Sequence, residues 1–254
     1  VVSGAKPRYL STAFILEEGL SFEELEKIVA SVAEEALLAG VEIICGDTKV
    51  LPKGQADGIF INTSGIGEKI DEADWSPSKM EEGDKVIVSG SIGDHGAAIL
   101  AFREGFSLKG ELKSDCASLT PFLDILQNFK KEIKVMRDPT RGGLATTLNE
   151  LAIEGEKEIE LEEESVPIKE EVKGFCRLLG LDPFYLACEG RAVIVVHRDA
   201  AADLTTALQS VPLGREARLI GRVAENKAGV ILNTYLRGKR KLGMLAGEPL
   251  PRIC

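Results

Sequence analysis

The sequence has no closely spaced pair of cysteines. Its five, Cys45, Cys116, Cys176, Cys188 and Cys254, are scattered along 254 residues, which argues against both a disulfide framework and a zinc module. No apolar run approaches the roughly 20 residues needed to cross a bilayer, and no basic-then-apolar leader opens the chain. A soluble cytoplasmic protein without a membrane role is expected. Basic charge is also in short supply: 31 Lys and Arg face 41 Asp and Glu, a net charge of -10 spread over helical faces, so nucleic acid is not expected as a partner. There is no internal repeat, no low-complexity segment, no P-loop lysine and no GxGxxG spacing.

The chain does have enough apolar material, 44% of its residues, for one large core or two ordinary ones. It starts at Val1, and the stretch Val1 to Pro7 reads like the interior of a domain, so a substantial preceding piece is expected to be missing. Ser21 with Glu24 forms a capping box, and Leu25, Ile28, Val29, Val32, Ala36 and Leu37 repeat at helical spacing until Gly40. The β-branched run Val41 to Cys45 then predicts a short buried strand ending in a polar loop at Gly46-Asp47-Thr48, and Asp57 to Gly67 a longer strand. Trp75-Ser76-Pro77-Ser78 and the acidic pair Glu81-Glu82 read as a connection between domains.

Beyond this connection, strands are expected at Lys85 to Gly90, Val135 to Arg137, Ala192 to Val196, Ala217 to Val223 and Gly229 to Leu232. Helices are expected at about Ala97 to Phe106, Leu119 to Phe129, Leu144 to Ala152, Pro167 to Leu179 and Ala200 to Gln209. This alternation gives an α/β (α+β) class. The divisions are 1–76 as an N-terminal domain, 77–236 as a C-terminal α/β domain and 237–254 as a flexible tail, whose glycines and prolines do not suit a core element.

Several polar groups fall where strands stop. Asp47 and Asp138 offer hard oxygen ligands suited to Mg²⁺ with nucleotide phosphates, although an Asx-turn accounts for either one taken alone. Thr140-Arg141-Gly142-Gly143 presents a hydroxyl, a guanidinium and two unhindered amides at a helix start, an anion-binding arrangement or simply a glycine turn. Ser89 to Gly96 is glycine-rich after a strand and covers a phosphate or substrate, or is only a tight turn. His95 and His197, the two histidines, are not expected to act as bases, whereas Lys49 and Glu189 sit at strand ends where sites form.

The tail ends in Pro251-Arg252-Ile253-Cys254, a solvent-reachable thiol expected to take part in the chemistry. From Lys241 the segment extends to roughly 45 Å at ~3.3 Å per residue. The α-carboxylate disfavours the thiolate and Arg252 offsets part of this, so delivery into a cleft suits this thiol better than unaided attack. An incidental exposed thiol is the alternative, and a last-position Cys is not a prenylation box.

Val2-Ser3-Gly4-Ala5-Lys6-Pro7, Gly46-Asp47-Thr48-Lys49-Val50, Asp138-Pro139-Thr140-Arg141-Gly142-Gly143-Leu144 and the Cys-terminated tail together resemble the HypE family of hydrogenase maturation factors. That family belongs to the wider group of aminoimidazole ribonucleotide synthetase, selenophosphate synthetase and thiamine monophosphate kinase. The resemblance implies a two-domain aminoimidazole ribonucleotide synthetase-like fold: an N-terminal domain, incomplete here, that forms a homodimer through its sheet, a C-terminal α/β domain and an ATP site between them. It implies that a HypF-type carbamoyltransferase loads the terminal thiol, and that ATP phosphorylates the carbamoyl oxygen. Loss of an N–H proton and of phosphate then leaves a thiocyanate, whose nitrile supplies cyanide to iron on a HypC-HypD scaffold complex during [NiFe]-hydrogenase maturation.

By the same resemblance the cofactor-binding set is Asp47, Thr48, Asp138, Thr140, Arg141 and Gly142, with Asp47 and Asp138 on Mg²⁺. Cys254 carries the substrate group; Lys49 and Glu189, from their strand-end positions, are the candidates for positioning it and removing its proton. Relatives have a glycine-rich segment and further acidic metal-binding residues upstream of the Val-Ser-Gly-Ala motif that this chain does not have. A non-catalytic thiol carrier and a small-molecule kinase or synthetase are the competing functions.

Overall fold

The computed structural model describes residues 1–106 and 112–246, so the terminal thiol Cys254 and the rest of the expected tail after residue 246 lie outside the described residues. The chain divides after Ile70 into two compact units, earlier than the division at Ser76 expected from composition. The reason is local: Ala73 and Met80 are buried, and the Trp75 indole N–H donates to the Lys130 carbonyl at 3.0 Å, so this stretch packs within the second unit.

The first unit is a β-α-β-β arrangement. Strand β1 (Ala5–Glu17) lies between β2 (Glu42–Leu51), to which it is parallel, and β3 (Ile59–Lys69), to which it is antiparallel. Pro7 is tolerated in β1 because pairing with β2 begins only at Tyr9 and the register toward β3 shifts between Pro7 and Tyr9. The parallel pairing requires a crossover, supplied by helix α1 (Phe22–Ala39). Its capping box forms as expected: Ser21 Oγ accepts from the Glu24 N–H at 3.2 Å, and Glu24 Oε2 accepts from the Ser21 N–H at 3.3 Å. No residue of α1 is buried, however, and Phe22, Leu37 and Leu38 are 84%, 81% and 72% exposed. β2 is likewise exposed along nearly its whole length, which corrects the expectation of a buried strand there.

The second unit is organised on a seven-stranded sheet made of β4 (Lys85–Val88), β5 (Ile133–Arg137), β6 (Glu158–Glu162), β7 (Val193–Val196), β8 (Arg218–Ala224), β9 (Gly229–Asn233) and β10 (Lys239–Leu242). Its spatial order is β10-β9-β6-β8-β4-β7-β5, antiparallel except for β6 beside β9. Among the described residues five α-helices accompany it: α2 (Asp94–Arg103), α3 (Leu123–Asn128), α4 (Gly143–Glu154), α5 (Glu170–Leu179) and α6 (Ala201–Gln209).

The uninterrupted apolar runs of β4 and β7 follow from cover on both faces, as for any strand buried twice. Val86, Val88, Val193 and Val195 join the α4 side, where Leu144, Leu148 and Leu151 pack, while the alternate residues Ile87, Ile194 and Val196 are equally inaccessible. β10 corrects the reading of everything after Arg237 as tail: Lys239 to Leu242 pair with Asn233 to Val230, and Leu242 is fully buried. Among the described residues no helix is long and apolar enough to cross a membrane.

Leu148, at 0% exposure in the middle of α4, tests the core. Leu148→Ala is expected to cost about 2–5 kcal/mol in urea unfolding; a loss under about 1 kcal/mol contradicts this packing.

Candidate functional site

Each unit contributes its own polar constellation. In the first, the expected loop at Asp47 is instead strand. Asp47, Thr48 and Lys49 pair with Ala13, Phe14 and Ile15 in the middle of β2, because pairing with β1 carries on through the polar residues to Leu51. Gly46 permits this continuation, since a Cβ there would lie 2.8 Å from the Thr12 carbonyl oxygen. The strand's two-residue period then places Asp47 and Lys49 on one face and Thr48 on the other. Both are exposed, and Asp47 Oδ1 accepts from the Thr48 N–H at 2.9 Å.

In the second unit the loop after β4, the junction after β5, the approach to β7 and the stretch 112–118 meet around buried charge. The Cys188 N–H donates to the Pro139 carbonyl at 3.0 Å, and the Cys188 sulfur accepts from the Gly93 N–H at 3.2 Å, which ties the 138–143 junction to the loop after β4. Burial pushes the Cys188 thiol far above its ordinary range, so this sulfur is a structural hydrogen-bonding group and not a nucleophile. Next to it, the Glu189 N–H donates to Asp115 Oδ1 at 3.0 Å. Arg191 Nε donates to the Ser91 carbonyl at 3.1 Å and lies 3.5 Å from Asp115 Oδ2, while its Nη2 is 4.0 Å from Asp94 Oδ2. Asp94 also accepts from the Ser91 hydroxyl and pairs with Lys169 at 3.1 Å.

Two carboxylate oxygens in this cluster, Asp115 Oδ2 and Glu189 Oε1, are buried and accept no hydrogen bond. Burial raises the pKa of both groups. For Glu189, His95 works against that rise, while Asp115 and Asp138 add to it, which brings these four side chains into one electrostatic neighbourhood. His95 Nδ1 is 2.8 Å from the Ser114 hydroxyl.

The 138–143 junction supplies the other half of the site. Asp138 and Arg141 are exposed, Thr140 is half-buried, and Gly142 and Gly143 are buried with φ of 74° and 61°. No side chain caps α4. A Cβ at Gly142 would lie 2.2 Å from Thr146 Oγ1, and one at Gly143 would lie 2.5 Å from the Leu186 carbonyl oxygen. Only glycine supports this left-handed, close-packed entry into a helix.

Family models match both halves of the chain: the AIR synthase related protein N-terminal domain over residues 1–68 and its C-terminal domain over residues 81–233. The carbamoyl dehydratase HypE of Escherichia coli (strain K12) is 49% identical over 253 residues, covering 100% of this chain and 75% of the relative. The chain belongs to the HypE family. Its fold agrees with that of a HypE hydrogenase maturation protein solved in complex with ATP (TM-score 0.95, 45% identity, 100% of this chain and 77% of that one) and of a HypE-HypF complex (TM-score 0.93, 43% identity, 96% and 80%). The chain thus spans about three quarters of the length of the HypE proteins it matches.

Against this family background, the sequence-derived residues fall into separate groups. Glu189 and Asp138 come together in the second unit, with Thr140, Arg141 and Gly142 following Asp138 along the chain. Asp47, Thr48 and Lys49 are neighbours in the first unit. Asp94, Asp115 and Arg191 were missed. Asp115 sits in the non-periodic stretch 112–118 and gave no signal, but a lone arginine directly before the all-apolar run Ala192 to Val196 is a recognisable mark of a buried ion pair. His95 was set aside as a base, yet it is the imidazole beside Glu189.

Because their folded pKa values are raised, Glu189 and Asp115 hold their protons more tightly in the folded chain. The stability this gives is complete below the ordinary carboxylate range and is lost as pH rises through the folded values. Glu189→Gln removes one such group, so its unfolding midpoint is expected to exceed the parent's at about pH 7 and to converge with it at about pH 3. Midpoints measured by thermal or urea unfolding that coincide at both values contradict the burial argument.

Proposed function

We propose that this chain is an ATP-dependent carbamoyl dehydratase that acts on a carbamoyl group carried by the sulfur of its own Cys254, and that the product is a thiocyanate supplying the cyanide ligand of [NiFe]-hydrogenase iron. The observation that carries the reading is the Glu189 carboxyl. It has a buried, unpartnered oxygen, a raised affinity for protons and a place beside the 138–143 junction, which suit it to accept a proton as a general base. Membership of a family whose characterised proteins are named carbamoyl dehydratases supports the rest.

The bound nucleotide supplies a phosphoryl group to the carbamoyl oxygen, converting a poor leaving group into phosphate. Overall, S–C(=O)NH₂ and ATP become S–C≡N, ADP, phosphate and a proton. Arg141, Thr140 and the Gly142 region are assigned to the phosphates, through a guanidinium, a hydroxyl and the uncapped start of α4. Thr48 is assigned to the nucleotide. Lys49 neutralises charge developing on the carbamoyl oxygen, and Glu189 accepts the proton from nitrogen as the nitrile forms. Among the described residues no group of three His, Cys, Asp or Glu side chains could hold a metal ion. Asp47 and Asp138 would hold Mg²⁺, which would neutralise charge on the nucleotide phosphates.

A HypF-type carbamoyltransferase is the assigned donor of the carbamoyl group and a HypC-HypD complex the acceptor of the cyanide, with the cytoplasm as the compartment. A homodimer is assigned to the first unit, where Ile44, Val50, Phe60 and Ile66 are all more than half exposed.

Intact-mass spectrometry of the protein incubated with the carbamoyltransferase, carbamoyl phosphate and ATP tests the reading. The parent is expected to pass from a carbamoyl adduct to a species lighter by one water. Cys254→Ala is expected to form neither, and Glu189→Gln to stop at the adduct with its rate of further conversion reduced about 10²–10⁴-fold. A parent that stops at the adduct is a carrier and overturns the proposal.

A further inference from the structure

The last described residues are not simply left at the end of β10. Asn149 Nδ2, on a side chain in the interior of α4 that is 4% exposed, donates to the Leu242 carbonyl at 3.0 Å and to the Ala145 carbonyl at 2.8 Å. The Tyr185 hydroxyl donates to the Gly243 carbonyl at 3.1 Å, and the Leu245 N–H donates to Thr146 Oγ1 at 3.4 Å. At the start of the same strand, Lys239 pairs with the largely buried Glu160 at 3.2 Å. Side chains from α4 and from the 183–185 turn thus grip the backbone at Leu242, Gly243 and Leu245 in succession.

The same two elements build the phosphate-binding junction. The Thr146 hydroxyl that takes the Leu245 N–H is the atom a Cβ on Gly142 would strike, and the turn carrying Tyr185 is the backbone against which Gly143 is seated. The path of the chain toward Cys254 is therefore fastened to the supports of the junction.

We infer that Tyr185, Thr146 and Asn149 are positioning residues: they fix where the thiol-bearing segment leaves the second unit, beside the 140–143 junction of the same chain. The inference rests on the dehydratase reading. Nine residues, 246–254, follow the last gripped amide, and nine residues reach at most about 30–32 Å when extended. Without the Tyr185 and Thr146 contacts the last fixed residue is Leu242, and twelve residues, 243–254, follow it. The effective concentration of a tethered group falls roughly as the −3/2 power of tether length, so the junction gains from every residue that is tied down.

The test is the single-turnover conversion of carbamoylated protein at saturating ATP, followed by intact mass. Tyr185→Phe/Thr146→Val is expected to slow it about 1.5-fold, and a nine-residue Gly-Ser insertion after Ala246, which leaves every grip intact, about threefold. ATP affinity and melting temperature are expected to stay at parent values in both, and Tyr185 with Thr146→Ser, which keeps both oxygens, to retain the parent rate. An insertion without effect, a doubly substituted protein as fast as or faster than the parent, or slowing accompanied by weaker ATP binding overturns the inference. Absence of any ATP-dependent loss of water in the unsubstituted protein would instead remove the dehydratase reading itself.

Discussion

The second unit's functional loops depend on the guanidinium of Arg191. Its side chain is 11% exposed and faces Asp115 and Asp94, whose side chains are 0% and 3% exposed. No one of these charges is tolerable in that setting without the others, since removing one partner of a buried pair costs about 3–5 kcal/mol. The loop after β4, the stretch before Cys116 and the approach to β7 are consequently held to one another by ion pairing as well as by the core contacts of Ile92 and Cys188. Glu189 gets its place from this arrangement, through the N–H it donates to Asp115.

The arrangement separates two kinds of group that a sequence lists side by side. Cys188 and Glu189 are neighbours, and burial acts on both, but with opposite consequences for chemistry. The thiol is driven so far from ionisation that it serves only as a hydrogen-bonding strut. The carboxyl keeps an unsatisfied oxygen and a raised pKa, at a cost in stability above the carboxylate range. Cys176, with its thiol pushed up to about 11 by burial, is inert for the same reason as Cys188. Nucleophilic or carrier chemistry at sulfur is thereby left to cysteines outside this core.

The first unit is built on a different principle. Three strands and one helix bury little beyond Leu16, Thr12 and Ile70, while large apolar side chains on α1, β2 and β3 stay open to solvent. Asp47 and Lys49 stand exposed on β2 in the same setting.

Local rules account for much of this protein. The capping box at Ser21 and Glu24, the apolar period that ends at Gly40, the Val-Ile runs of β4 and β7 and the double-glycine entry to α4 are all consequences of near-neighbour sterics and periodicity, and Asp138, Arg141 and Glu189 could be named from them. Other features depend on partners remote in sequence. β2 runs on through Gly46-Asp47-Thr48 because β1 offers it a continuous ladder, and Lys239 to Leu242 become a strand only because β9 lies alongside. Asp115 accepts from the Glu189 N–H across 74 positions and faces the guanidinium of Arg191, contacts between segments remote in sequence that no local pattern records.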